Sequence, residues 1–208
     1  MIIRELCLEN FTKIPQALQA GVERIELCDN LVVGGTTPSY GVIEEAAKYV
    51  AESKTTLAVM IRPRGGNFVY NSHELKIIET DTLKAVEAGA QNIVFGALTP
   101  GNEIDTDALE TVSIAAQGLP ITFHMAFDEV TDQEKAIDQL VEFGVDKILT
   151  HGGPLDQPLN TDKLKSLIDY AKGKIKIIIG GGVNAENFEN LAQLTGTNYV
   201  HGTKIIKL

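Results

Sequence analysis

The chain has 208 residues, of which 44% are apolar, and a formal net charge of −10 at pH 7. A chain of this length and apolar content buries one sizeable core, so a single domain over residues 1–208 is expected. No apolar run approaches the ~20 residues that cross a bilayer, and no basic stripe is present to contact a phosphate backbone. We therefore expect no membrane partner and no nucleic-acid partner.

The start of the chain predicts a cytoplasmic protein. Residues 1–6 contain neither the basic segment nor the small-residue cleavage site of a signal peptide. The two cysteines are Cys7 and Cys28. In a reducing compartment they are expected to be thiols rather than a structural disulfide.

Short apolar segments alternate along the chain with longer amphipathic segments. The pattern predicts strands near residues 2–8, 24–28, 56–61, 92–95, 121–124, 147–150, 175–179 and 198–201. It predicts helices near residues 10–20, 38–52, 72–88, 105–117, 132–143, 161–171 and 184–194, the last of them capped by Asn184. Regular alternation of eight units indicates parallel strands with crossover helices and favours a closed (β/α)8 TIM barrel. An open doubly wound sheet is the alternative architecture for the same pattern.

Two cysteines stand at the ends of the first two predicted strands. Period-two alternation puts Glu5 and Cys7 on one face of the first strand, and Glu26 and Cys28 on one face of the second. Because these strands are expected to be neighbours, the two thiols can face each other. A dithiol suits a soft ion such as Cu(I), whereas a lone cysteine is more often a small buried apolar residue. Both interpretations stay open.

Further polar residues follow the ends of the strands, where barrel enzymes carry their active sites. Glu26, Arg62, His124 and Asp128 are candidates for acid–base chemistry, with Asp128 close enough in sequence to orient His124. Glu26 and Arg62 are expected to pair, either as catalytic groups or as a structural ion pair, and Glu5 is expected to be structural. Two more rim candidates are His151 and His201.

Candidate anion-binding residues lie in two regions. Arg62 and Arg64 follow the third strand beside a Gly pair, and a guanidinium suits a carboxylate or phosphate. The alternative is that Arg62 pairs with a glutamate and Arg64 is solvated. The second region comprises the loops after the seventh and eighth strands, with Gly181, Gly182, Gly202 and Thr203, which in barrels often hold a phosphate. Glycines in tight turns explain the same pattern.

Five segments together resemble the CutC copper homeostasis family: ELC at 5–7, RIELC at 24–28, GGTTPS at 34–39, IRPRGG at 61–66 and FHMAFD at 123–128. The resemblance spans nearly the whole chain. It implies a TIM barrel, cytosolic copper handling, Cys7 and Cys28 as Cu(I) ligands, and a homodimer or higher homo-oligomer. Two departures from the family pattern are Met125, where the family has Arg, and Gly202-Thr203 in place of a Ser pair.

Two functions follow as hypotheses. The first is a copper-binding protein that holds Cu(I) through Cys7 and Cys28. The second is a barrel enzyme that acts on an anionic, phosphate- or carboxylate-bearing small molecule. The dithiol favours the first, whereas the polar rim, which a copper carrier does not require, favours the second.

Overall fold

The computed structural model describes all residues from Met1 to Leu208 and contains a closed barrel of eight parallel strands, paired in the order β1 to β8 with β8 back on β1. The strands are β1 Ile3–Glu9, β2 Arg24–Cys28, β3 Thr56–Met60, β4 Asn92–Phe95, β5 Ile121–Phe123, β6 Lys147–Thr150, β7 Lys176–Ile179 and β8 Tyr199–Gly202. The predicted (β/α)8 barrel is confirmed.

Seven helices surround the barrel: α1 Ile14–Gln19, α2 Tyr40–Val50, α3 Ser72–Glu87, α4 Thr106–Ala115, α5 Gln133–Glu142, α6 Thr161–Ala171 and α7 Phe188–Thr195. Short 3-10 turns lie at Leu31–Val33 and Met125–Glu129. None of the helices is both long and apolar enough to span a membrane.

Local sequence explains why these segments form these elements. All residues of β2, β4, β5 and β6 are buried, as expected for parallel strands covered on both faces. Several helices begin at a side chain that accepts a backbone N–H bond, which satisfies donors left free in the first turn. Asn71 and Glu74 form a full capping box at the start of α3, and Asp105, Asp132 and Asn160 cap α4, α5 and α6.

Two predicted helix starts are wrong, and one affects the site. The first helix begins at Ile14 rather than near residue 10, because Asn10 is in the left-handed region with φ 61°. The last helix begins at Phe188, with Asn187 as its N-cap. Asn184 instead accepts a hydrogen bond from the backbone N–H of Glu186. The glycines after β7 therefore enter a loop rather than a helix N-terminus.

Candidate metal and ligand site

A cavity of about 630 Å³ lies at the carboxyl ends of the strands. Its lining includes Cys7, Glu26, Arg62, His124, Met125 and His201. These side chains come from or directly follow β1, β2, β3, β5 and β8. The barrel therefore brings residues that are far apart in sequence into one volume, at the end where such folds carry their chemistry.

The two cysteines are free, buried and adjacent within this region. Their Sγ atoms are 3.9 Å apart, and Glu26 Oε1 lies 3.8 Å from Cys7 Sγ and 3.5 Å from Cys28 Sγ. The parallel register of β1 and β2 sets Cys7 opposite Glu26, with Cys28 opposite Glu9, two residues further along. The predicted approach of the two thiols across neighbouring strands is therefore present in the structure.

His201 adds an imidazole to the same cluster. Ligand atoms of Cys7, Glu26 and His201 all lie within 4.8 Å of one another. Nδ1 of His201 is 2.8 Å from Oε1 of Glu5, which also forms an ion pair with Arg24. His201 reaches this position because β8 closes the barrel on β1, with His201 opposite Glu5.

A buried polar network lies below this cluster. The Arg24 guanidinium donates to Oδ1 of Asn92 at 2.7 Å and to the Thr122 hydroxyl at 3.1 Å, in addition to Glu5. Burial opposes ionisation of Glu5, but Arg24 and His201 outweigh it and lower the pKa of this carboxyl to about 2. The prediction that Glu5 is structural agrees with these contacts.

The two thiols differ in their electrostatics. The hydrogen bond with Cys28 and the neighbouring His201 lower the pKa of Cys7 to about 6, against the effect of burial. The hydrogen bond to Cys7 and burial raise the pKa of Cys28 well above its ordinary value. Burial also raises the pKa of Glu26 to about 8. At neutral pH the pair can therefore be one thiolate and one thiol, and the thiolate is the form that ligates metals.

The predicted pairing of Arg62 with Glu26 is wrong. Arg62 donates from Nη1 to the carbonyls of Val33 at 2.9 Å and Gly35 at 3.0 Å, and from Nη2 to that of Gly66 at 2.8 Å. No carboxylate lies within ion-pair distance, and its Nε is buried without a partner. Carbonyl groups of the loops after β2 and β3 therefore bind the Arg62 guanidinium in place of Glu26.

The predicted orientation of His124 by Asp128 is also wrong. Asp128 accepts hydrogen bonds from the Thr150 hydroxyl at 2.5 Å and from the backbone N–H of His151 at 2.9 Å. The 3-10 turn after β5 carries Asp128 to the end of β6, where these partners lie. Nδ1 of His124 instead accepts from the backbone N–H of Ala126 at 3.2 Å. Its Nε2 is buried without a partner.

The remaining predicted residues divide between the cavity and its surroundings. Gly181, Gly182, Gly202 and Thr203 line the cavity. A Cβ atom on Gly202 would lie 2.3 Å from the Val183 carbonyl oxygen, so only glycine permits the loop after β7 to approach the end of β8 this closely.

Two predicted residues lie outside the cavity lining. Arg64 forms an ion pair with Glu74 at the start of α3, with Nε and Oε1 2.5 Å apart. The His151 ring nitrogens lie near backbone carbonyls, with Nε2 3.0 Å from the Gln157 oxygen and Nδ1 3.1 Å from the Gly181 oxygen. Neither side chain is free to take a ligand in this arrangement.

Sequence reasoning assigned no role to several residues of the cavity. Phe68 lies 4.9 Å from Cζ of Arg62 and 5.0 Å from the ring centre of His124. Met60 and Lys204 also line the cavity. The position of Met60 was available from alternation, since it lies two residues before Arg62 on the same strand pattern. Phe68 and Lys204 are in loops, where no periodicity indicates direction.

The fold and the site define a class of protein: a (β/α)8 barrel with thiols, a carboxyl group and an imidazole clustered at the carboxyl ends of its strands. The CutC family model matches residues 2–206. A CutC protein of Streptococcus pyogenes is 57% identical, covering 99% of this chain and 100% of its own, and one of Enterococcus faecalis is 54% identical over the same shares. The chain belongs to the CutC family.

Comparison with solved structures supports the same family membership. The crystal structure of CutC from Streptococcus agalactiae, a protein named for copper homeostasis, matches with a TM-score of 0.96 and 52% identity, over 99% of this chain and 100% of that one. An aldolase matches with a TM-score of 0.70 and 15% identity, over 97% of this chain and 89% of its own. The second likeness extends to the fold alone.

Proposed function

We propose that this protein binds Cu(I) through Cys7 and Cys28 and acts in copper homeostasis. The observation that carries the proposal is the 3.9 Å separation of the two Sγ atoms. Copper–sulfur bonds are short, like the ~2.3 Å Zn–S bond, so one ion can reach both sulfurs when they are less than ~4.6 Å apart. The name of the Streptococcus agalactiae relative supports the same role.

The surroundings of the thiols suit a soft monovalent ion. Ala58, Met60 and Val94 pack with the two cysteines in one buried apolar cluster. Thiolate and thioether sulfur are the ligands that select Cu(I). Glu26 and His201 lie within reach as further donors. The chain has no CxxC pair, the ligand spacing typical of structural zinc sites.

The proposal includes a cytoplasmic location and a homodimer or higher homo-oligomer. The thiols must stay reduced to bind Cu(I), and free cysteines persist in reducing compartments. The oligomeric state rests on the family resemblance alone. Sedimentation of the purified protein measures it, and a monomer at cellular concentration would remove this part of the proposal.

The test is an anaerobic competition titration of Cu(I) against a strong chelator. The wild type is compared with Cys7→Ser and Cys28→Ser, and His73→Ala serves as the matched control because this imidazole is exposed and does not line the cavity. We expect one ion per chain, bound tightly by the wild type and the control and lost in both serine variants. Weak binding that is indifferent to Cys28 would reject the copper site.

A second candidate function is a barrel enzyme acting on an anionic small molecule. The cavity of about 630 Å³ favours it, because a copper ion needs a small fraction of that volume. Arg62 and the glycine loops at Gly181–Gly182 and Gly202 would hold the anion. Glu26, with its pKa raised to about 8 by burial, would exchange protons near neutral pH.

Turnover separates the two functions. Carboxylated and phosphorylated metabolites are screened for conversion by the wild type, Glu26→Gln and Cys28→Ser. An enzyme of the proposed type loses its activity with Glu26→Gln. Activity that requires added copper and is lost in Cys28→Ser would instead assign the reaction to the metal site.

A further inference from the structure

Two buried hydrogen-bond donors of the cavity-lining residues have no partner within the protein. They are Nε of Arg62 and Nε2 of His124, in side chains that are 5% and 3% exposed. Buried polar groups in folded proteins are nearly always hydrogen-bonded, and leaving one unpaired costs about 1 to 3 kcal/mol. Two such donors at one cavity therefore indicate a missing acceptor.

The hydrogen-bond pattern defines His124 Nε2 as a donor. Nδ1 accepts the Ala126 backbone N–H at 3.2 Å, so the single proton of the neutral ring is on Nε2. Burial and the nearby Arg62 lower the pKa of His124 to about 3, which keeps the ring neutral at physiological pH. Arg62 donates from both terminal nitrogens to carbonyls, twice from Nη1 and once from Nη2, and Nε is its only nitrogen without a partner.

The charge of Arg62 is also unmatched. Arg24, the other buried arginine of the barrel, has Glu5 as its counter-ion, whereas no carboxylate lies within 4 Å of Arg62. Backbone carbonyls accept hydrogen bonds from its terminal nitrogens but carry no net negative charge. A buried ion without a counter-ion is costly, so the vacant partner is expected to be an anion.

Phe68 contacts both groups from one side. Its half-buried ring lies against the Arg62 guanidinium and the His124 ring, at 4.9 Å and 5.0 Å. It belongs to the irregular loop between β3 and α3. A ligand that reaches the two donors must pack against this ring or displace it, so the ligand needs an apolar portion beside its acceptor group.

We propose that the cavity binds a small organic carboxylate whose two oxygens accept hydrogen bonds from Arg62 Nε and His124 Nε2, with its apolar portion on Phe68. Two donors and one unpaired positive charge match a carboxylate, whereas a phosphate carries three oxygens and up to two charges. Lys204 also lines the cavity but is an exposed residue of the loop after β8. This inference rests on the second candidate function and is independent of the copper site.

The experiment follows the two N–H groups directly. The ¹⁵N-labelled wild type is titrated with benzoate, with neutral benzamide as the matched ligand and phenyl phosphate as the competing class. We expect benzoate to shift the Arg62 Nε–H and His124 Nε2–H signals and benzamide to leave them in place. His124→Leu and Arg62→Lys each weaken binding roughly 10- to 100-fold, the range of a charge-assisted hydrogen bond.

Two further variants keep the result interpretable if Arg62→Lys fails to fold. His124→Gln retains an N–H donor and is expected to recover part of the binding lost in His124→Leu. Arg64→Lys is the control, since Arg64 lies outside the cavity and pairs with Glu74.

Each outcome has a defined meaning. Two results would overturn the carboxylate site. One is that both N–H signals stay unchanged when benzoate is added. The other is that both N–H groups are found to be hydrogen-bonded to a bound water and to no ligand. A larger response to phenyl phosphate than to benzoate would reassign the cavity to phosphate esters and also overturn it. Turnover of a carboxylated or phosphorylated metabolite without these shifts would leave the second candidate function standing while rejecting this inference. Copper binding by Cys7 and Cys28 is measured separately and is unaffected by either result.

Discussion

Two buried arginines meet opposite surroundings at the scale of single residues. Arg24 forms an ion pair with Glu5 and hydrogen bonds with Asn92 and Thr122 in the barrel interior. Arg62 contacts only backbone carbonyls through its terminal nitrogens. The first arrangement neutralises charge within the chain, and the second leaves the charge of Arg62 without a counter-ion in the chain. Both residues are buried arginines, so their different roles follow from the groups that surround each guanidinium.

Glu5→Gln tests the structural assignment of the first arginine. Removing this carboxylate leaves Arg24 buried without a counter-ion, so we expect a loss of about 3 to 5 kcal/mol in the free energy of unfolding. Glu44→Gln is the control, because its pair with Lys48 is solvent-exposed and its loss is expected to leave stability nearly unchanged. Urea denaturation measures both. Equal effects of the two variants would contradict the assignment.

The buried neutral ring of His124 predicts a pH dependence of stability. Its folded pKa is about 3, below the ordinary value of 6.5. The unfolded chain therefore binds a proton below pH 6.5 that the folded protein does not bind, and stability falls as the pH decreases toward 3.

Comparison with a non-titrating variant isolates this effect. We expect the difference in unfolding free energy between wild type and His124→Leu to decrease on acidification below pH 6.5, by up to about 1.4 kcal/mol per pH unit. Urea unfolding between pH 7 and pH 4.5 measures it. A difference that stays constant over this range would show that the ring takes up its proton in the folded protein as it does in the unfolded chain.

The site depends, at the scale of elements, on strand register and on small residues at strand ends. β1 pairs with β2 on one side and with β8 on the other. The register of these pairs sets Cys7 opposite Glu26 and Glu5 opposite His201. Gly96, directly after β4, allows the His124 ring to lie against the backbone. A Cβ atom there would lie 2.5 Å from ring atoms Nδ1 and Cε1.

Gly96→Ala is therefore expected to displace His124 and to cost about 1 to 3 kcal/mol of stability, the usual cost of overpacking. Gly41→Ala is the matched control, since nothing lies within 4 Å of a Cβ at that position in α2. Alanine there is expected to be neutral or slightly stabilising. Thermal unfolding compares the two variants, and a well-tolerated alanine at 96 would mean that the His124 ring moves aside easily.

Ligand binding and folding are linked at the scale of the whole molecule. An ion that binds only the folded protein stabilises it by about 2.7 kcal/mol when its free concentration is 100 times Kd. For a chain of this size that corresponds to a rise in Tm of roughly 5 to 10 °C. We expect Cu(I) to produce this rise anaerobically in the wild type and not in Cys28→Ser. Removal of copper by a strong chelator should reverse it, and an equal rise in both proteins would indicate binding elsewhere.

The amino-acid sequence alone determined the architecture and the meeting of the two thiols. Alternating apolar segments specify parallel strands and crossover helices, and the period of two places Cys7 and Cys28 on the same face of neighbouring strands. These features follow from local periodicity and from topology, which a sequence carries directly.

Only the tertiary structure decided which partner each polar side chain takes. Asp128 contacts Thr150 and the His151 backbone rather than His124, because a 3-10 turn redirects it. Arg62 bonds to loop carbonyls rather than to Glu26. Such choices depend on loop conformation and on competition among many donors and acceptors at the barrel rim. Loops have no periodicity, so these contacts are defined only when the barrel closes.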